Sequence, residues 1–192
     1  MQNDPHTTLV TPTAPIANDT HGGRAQCLQR LVRLELPVPS TVAVSFNAVQ
    51  QIARGQLPDI QAVVDQFPKG ALLCVRPSSQ DPDWGGPGAI LNIGMNDRKF
   101  SELCESHGET AAATLYLRFI NAYATHVARL DPDAFDDPET PNAGDVIKAM
   151  TTYGDEADEP FPQEVDVQLA HVLRSMARAW EGTSARLLRQ AK

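Results

Sequence analysis

Cysteine is scarce in this chain: Cys27, Cys74 and Cys104 are the only three in 192 residues, an odd number without close spacing. That usage argues against a disulfide framework and against a thiolate zinc site, and it suits a reducing compartment. Each cysteine sits in an apolar pattern, which predicts a place in the core. Long apolar runs are missing too, although 42% of the residues are hydrophobic, so no membrane-spanning helix is predicted. No charged-then-apolar stretch opens the chain, so no signal peptide is expected and the expected location is cytoplasmic. Positive charge is also short. The 16 Lys and Arg face 24 Asp and Glu, a formal net charge of -8, which argues against a nucleic-acid partner. The acids gather in residues 131–166 and the basic residues in 174–192. The pattern reads as a solvated acidic loop followed by a helix with a basic C-terminal end, which the helix dipole favours.

What is present centres on residues 71–97, ALLCVRPSSQDPDWGGPGAILNIGMND. The apolar run 71–75 predicts a buried strand, and Arg76 stands at its end. A segment of Pro, Ser, Asp and Gly follows, too polar and flexible for a regular element. The chain turns apolar again at 89–93, and Asn96 or Asp97 is placed to cap the next helix. Strand, basic residue, Gly-rich loop, strand is an order suited to an anionic ligand, because glycines let backbone N–H groups approach phosphate closely. Arg76 at a strand end faces the position where α/β folds bind ligands. A salt bridge to Asp81 or Asp83 is the alternative use of its charge. Gly85, Gly86 and Gly88, with Pro87 between them, suit a flap over phosphates or an ordinary β-turn, and Trp84 on the same loop suits ligand stacking or cover for the core edge.

Along the rest of the chain, residues 1–20 lack periodicity and predict a disordered tail. Gly22-Gly23-Arg24 then opens a helix over 25–34, a plausible anion seat at a helix N-terminus. Residues 41–46 predict a strand, and 46–54 and 60–66 helices closed by Gly55 and by Pro68-Lys69-Gly70. A short helix after Asp97 ends before Gly108. The clearest helix is 109–130, with Leu115, Phe119, Ala122, Tyr123, His126 and Leu130 on one stripe; His126 is expected in the core or at its boundary. Residues 131–141 form a proline-broken loop, 144–153 a short helix and 154–161 an acidic loop. Its Asp155, Glu156, Asp158 and Glu159 lack the alternation of a calcium site. The last helix, 163–180, buries Val165, Leu169, Val172, Leu173, Met176 and Trp180, and helix resumes after Gly182.

Several of these segments resemble the nucleotide-binding domain of pyruvate phosphate dikinase and phosphoenolpyruvate synthase. Val75-Arg76 followed by Leu91-Asn92-Ile93-Gly94-Met95-Asn96-Asp97 is similar to the family's V-R-S-(G/S), Gly-rich loop, L-N-(L/V)-G and N-D pattern, with Pro77 in place of the usual serine. Gly22-Gly23-Arg24 with Leu36-Pro37-Val38-Pro39 resembles its G-G-K … G-(L/I)-P-V-P opening, with Arg24 in place of the lysine. Phe161-Pro162-Gln163, Gln168-Leu169, Ser175 and Trp180 with Ala185-Arg186 are similar to its F-P-x-D … Q-L … S-W-x-x-x-R-A segment. The resemblance runs over residues 22–192.

It implies an α/β domain like the first subdomain of an ATP-grasp fold, over 21–192, with a small sheet and several packed helices. It further implies ATP as the ligand, Arg24 and Arg76 as phosphate contacts, and Gly22, Gly23, Gly85, Gly86 and Gly88 as the backbone cradle. In the family, the adenine hinge and the Mg²⁺ carboxylates come from a second subdomain whose counterpart would follow Lys192. Mg²⁺ is therefore expected only if a partner supplies ligands. None of His6, His21, His107, His126 or His171 has the family's T-S-H phosphohistidine context, so phosphoryl transfer by this chain alone is not expected. Two other functions stay open on the sequence: a protein-interaction module, or one subunit of a split phosphotransferase completed by a separate protein.

Overall fold

The computed structural model describes residues 7–80 and 88–190, which form a mixed α/β structure. In the described residues, eight α-helices accompany two small antiparallel sheets of two strands each. The chain divides into two compact units, one of Met1–Lys69, Arg76–Gly88 and Leu173–Lys192, the other of Gly70–Val75 and Ala89–Val172. No helix among the described residues is long and apolar enough to cross a membrane.

In the first unit, β1 (Thr7–Leu9) pairs antiparallel with β2 (Val42–Val44), Thr8 opposite Ala43. Residues 7–20, expected as a tail, are thus part of the fold. Val10 and Ile16 are buried with Ala25 and Ala43, and Leu28 and Val32 of α1 (Asn18–Arg33) pack on them. Side chains of α1 hold the segment down as well. Gln29, 2% exposed, donates from Nε2 to the carbonyls of Thr11 (3.0 Å) and Ala14 (2.6 Å), and Arg33 Nε donates to Pro12 O (2.7 Å). Composition pointed to disorder because two buried residues, Val10 and Ile16, among polar ones make no periodic pattern. α2 (Phe46–Ala53) follows β2 directly. Its cap is Ser45, which accepts from Ala48 N–H at 3.2 Å and satisfies one of the donors left open at a helix start. Phe46 stacks on Trp180, ring centres 5.8 Å apart. α3 (Ile60–Val64) is a short helix capped by Asp59.

In the second unit, β3 (Leu73–Val75) and β4 (Ile90–Ile93) pair antiparallel, with Leu73 opposite Ile93 and Val75 opposite Ile90. Three residues on one strand thus face four on the other, a bulge in which Asn92 adopts φ 61°; Asn tolerates this left-handed region better than most residues. α4 (Asp97–His107) is capped by Asn96, whose Oδ1 accepts from Lys99 N–H at 2.8 Å. α5 (Glu109–Tyr123) continues into a π-helical turn at Ala124–Ala128 that Arg129 closes with φ 66°. α6 (Ala143–Ala157) starts on a capping box between Asn142 and Asp145. α7 (Val165–Glu181) begins in this unit and from Leu173 onward belongs to the first, as does α8 (Thr183–Gln190), the two helices being separated at Gly182 as expected.

Phe161 is the centre of the second core. The rings of Tyr116, Phe119, Tyr123 and Tyr153 all meet it edge-on, at centre distances of 6.2, 5.7, 5.3 and 5.2 Å. Tyr116, Tyr123 and Tyr153, the only three tyrosines of the sequence, are each at most 1% exposed. Burial, the largest cause in each case, raises their phenol pKa, that of Tyr153 to about 12. The folded chain therefore holds these protons above the ordinary pKa of about 10 that they have when unfolded. Native binds more protons than unfolded in that window, so the stability they contribute is full below about pH 10 and falls as pH rises. Absorbance at 295 nm is expected to stay flat through pH 10–11 and then rise together with the loss of helical circular dichroism. A smooth titration centred at pH 10 with the helix signal intact would contradict this burial.

Three local expectations are corrected. His126 is exposed, because α5 buries Tyr116, Leu117, Phe119, Ile120 and Tyr123 on a broad face and its π-helical continuation turns His126 outward. Cys27 and Cys74 are exposed and Cys104 half-buried, so none of the three is a core residue. Along β3 the buried Leu73 alternates with the exposed Cys74, as successive side chains of a strand point to opposite faces. Residues 154–157, expected as loop, extend α6, and the helix ends at Asp158 in the left-handed conformation (φ 55°). Its acidic residues put charge on a solvated helix end without interrupting the backbone ladder.

Candidate functional site

The site residues expected from sequence fall into three groups, Gly22-Gly23-Arg24, then Arg76, then Gly85, Gly86 and Gly88. Gly22, Gly23, Arg24, Arg76 and Gly88 belong to the first unit, whereas Gly85 and Gly86, with Trp84, Asp81 and Asp83, lie outside the described residues. The structure brings the first group, Gly22-Gly23-Arg24, against the residues that follow Arg76. Gly23 N–H donates to Ser79 O (2.7 Å), Ala25 N–H donates to Ser78 Oγ (3.1 Å), and Arg24 Nε donates to Pro77 O (3.1 Å). Two stretches more than fifty residues apart are thereby joined by three bonds.

Gly22 makes this contact possible. It interrupts α1 with φ 81° and ψ 166°, a region open essentially to glycine alone. A β-carbon there would stand 2.1 Å from the carbonyl oxygen of Ser78. The regular part of the helix therefore begins at Gly23, and Ser78 caps it from outside: its hydroxyl oxygen accepts a first-turn N–H as a preceding Ser or Thr does in other helices. Just before the break, the imidazole of His21 is buried, with Nδ1 2.8 Å from Thr20 Oγ1. Burial lowers its pKa, against a smaller upward effect of Asp19.

Arg24 and Arg76 are both exposed. Arg24 is tethered through Nε, and its guanidinium continues into solvent beside the segment that Arg76 opens. β3 ends at Val75, so Arg76 is the first residue past the ladder. The crevice argued for it from α/β folds does not apply, since crevices at strand ends belong to parallel sheets and β3 pairs antiparallel. Gly88 is exposed, and a β-carbon there would meet nothing within 4 Å. Nothing at that position requires glycine.

The Leu91-Asn92-Ile93-Gly94 segment lies in the second unit, and three of its residues have a structural role. Asn92 takes the bulge and donates from Nδ2 to Leu115 O (3.1 Å), Ile93 is fully buried, and Gly94 adopts φ 102° while its N–H donates to Gln168 Oε1 (2.7 Å). Among the described residues no three His, Cys, Asp or Glu side chains are grouped to hold a metal ion.

Sequence reading missed Ser78 and Asn18 as part of the Gly22–Arg24 arrangement. Asn18 Oδ1 is shut off from solvent and has no hydrogen-bond partner among the described residues, and it stands 3.4 Å from where a β-carbon of Gly23 would be. An orphaned buried acceptor costs about 1–3 kcal/mol, so this spot is polar and incompletely satisfied. A serine after Pro and an asparagine before a helix are ordinary in sequence; only the close approach allowed by Gly22 gives them a common place. Comparison of the sequence with protein-family models, and with curated proteins, finds no match.

Proposed function

We infer that the chain binds a polyphosphate, ATP being the ligand that the sequence resemblance suggests, through Arg24 and Arg76 at the start of the regular part of α1. The observation that carries this reading is the docking of Gly22-Gly23-Arg24 onto Pro77–Ser79, which joins the two arginine-bearing segments on one unit. Arg24 at a helix N-terminus, with Arg76 next in sequence to the Pro77 whose carbonyl Arg24 holds, suits the charge and planar geometry of phosphate. Binding is the activity proposed for these residues.

Because the contacts proposed are to phosphate and not to a base, affinity is expected to follow ligand charge. In isothermal titrations ATP should bind more tightly than AMP and both more weakly as salt rises. Arg76→Ala or Arg24→Ala should each weaken ATP binding by about 1.5–3 kcal/mol, the range for hydrogen bonds to charged groups, and Arg76→Lys should recover only part of the loss. Equal affinity for adenosine and ATP, or full affinity in both alanine variants, would sink the reading.

A further inference from the structure

We propose that Met150, in the second unit, is a site of reversible oxidation by peroxide, and that Tyr116 and Gln163 form the seat for the oxygen its sulfur gains. Two hydrogen-bond donors converge on this one thioether: Tyr116 Oη lies 3.6 Å from Met150 Sδ, and Gln163 Nε2 lies 4.0 Å from it. Both are held there by their other bonds. Gln163 Oε1 accepts from Asp97 N–H (2.9 Å), and because that partner can only donate, the amide nitrogen is the end left facing the sulfur. Nε2 also donates to Tyr116 Oη (3.2 Å). Tyr116 is fully buried, and its single proton goes to Asp97 Oδ1 (3.1 Å) or to the sulfur. A thioether is a weak acceptor, so the two donors meet a partner that uses little of their capacity. A sulfoxide oxygen is a far stronger acceptor and can take from both.

Met150 is half-buried, which gives a small oxidant access, whereas Met95 is fully buried. Met176 is half-buried too, but no donor meets its sulfur among the described residues. In the reaction a lone pair of Met150 Sδ attacks one oxygen of hydrogen peroxide and the O–O bond breaks. The departing hydroxide takes the proton of the transferred oxygen and leaves as water. Sulfur is oxidised by two electrons, and the peroxide is reduced by the same two. Oxidation ordinarily disrupts a core by placing a polar group where a thioether was. Here the new oxygen enters a seat with donors already in place, so the oxidised chain stays folded. The seat also favours one configuration at sulfur, and each sulfoxide epimer has its own reductase, MsrA or MsrB.

Hydrogen peroxide treatment of the full chain, with peptide mapping, reduction of the product by MsrA or MsrB, and thermal melts, tests this. Met150→Leu treated alongside gives the background from the other methionines and the cysteines. Met150 is expected to oxidise ahead of Met95 and Met176, with one epimer in about two- to tenfold excess, the ratio that one neutral hydrogen bond sets. Once the Met150→Leu background is subtracted, the melting midpoint should move by no more than about 2 °C, less than 1 kcal/mol for a chain of this size. Gln163→Leu and Tyr116→Phe should each bring the epimers toward equal amounts. Equal epimers in the wild type, oxidation of Met150 no faster than that of Met95, or a midpoint lowered by more than about 5 °C overturns the proposal. So does an epimer excess that persists unchanged in both variants. Should the variants not fold, the wild-type epimer ratio and melt decide.

Discussion

Gly22→Ala is expected to destabilise the first unit by roughly 2–4 kcal/mol, the sum of a glycine-only backbone conformation and a collision that must be relieved. At φ 81° and ψ 166° an alanine is strained before any contact is counted. Its β-carbon would then lie 2.1 Å from Ser78 O and 2.4 Å from Ser78 C, both backbone atoms that cannot swing aside like a side chain. Relief requires either straightening α1 through residue 22 or pushing residues 77–79 away. The second course breaks the bonds from Gly23, Arg24 and Ala25 together. With about 2–4 °C per kcal/mol for a chain of this size, the melting midpoint of that unit should fall by roughly 5–15 °C. Two neighbours provide controls. Gly23→Ala meets nothing closer than 3.4 Å and Gly88→Ala meets nothing at all within 4 Å, so both should stay within about 0.5 kcal/mol. A Gly22→Ala melt that superimposes on those controls would mean that the kink and the Ser78 approach do not exist in solution.

The second unit has its own single point of failure in Gln168. It is fully buried, and every polar atom of its amide is used: Oε1 accepts from Gly94 N–H (2.7 Å), and Nε2 donates to Met95 O (2.9 Å) and Pro162 O (2.7 Å). One side chain on α7 thus ties down the turn after β4 and the segment entering α7 itself. Gln168→Ala leaves a cavity and three orphaned backbone groups, each of which costs about 1–3 kcal/mol if it stays dry, so a loss of about 3–5 kcal/mol is expected. Gln168→Met separates the contributions: it restores volume and no hydrogen bonds, and most of the loss should persist. If Gln168→Met melts with the wild type, the bonds are not what holds this corner.

Gln168→Glu adds a pH signature. A carboxylate can take the Gly94 N–H but would face the two carbonyl oxygens that Nε2 now serves, so the protonated form is favoured in the fold. Its folded pKa would lie above the unfolded value of about 4.3. The fold then binds more protons than the unfolded chain, and the variant should be most stable below about pH 4.3 and lose stability as pH rises through its folded pKa. Chemical denaturation at pH 4 and pH 7, set against the wild type, reads the sign directly.

How legible these features were in sequence differed from residue to residue, and the reason is distance along the chain. Asn96 as a cap, the break at Gly182 and the apolar runs that became β3 and β4 depend on the residues beside them, and reading them locally was enough. Gly22-Gly23-Arg24 was recognisable as a helix start because a glycine pair before an apolar period is a local pattern too. Residues 7–20 were misread as a tail because their order comes from β2 and from Gln29 and Arg33, well downstream. His126 was misplaced for a related reason: a 3.6-residue stripe describes a regular helix, and the chain leaves that geometry at Ala124.

By itself the sequence determined the mixed α/β class, most helix positions, the acidic balance and the two arginine-bearing segments, all of which follow from local propensity, periodicity and charge count. Tertiary structure alone decided that Ser78 caps the helix that Gly22 interrupts, that Asn18 Oδ1 beside it has no partner among the described residues, and that Gln168 fastens Gly94, Met95 and Pro162. Each of these is a hydrogen bond, or the lack of one, and whether a buried donor meets an acceptor depends on ångström-scale approach between segments far apart in the chain, which no pattern along the chain encodes.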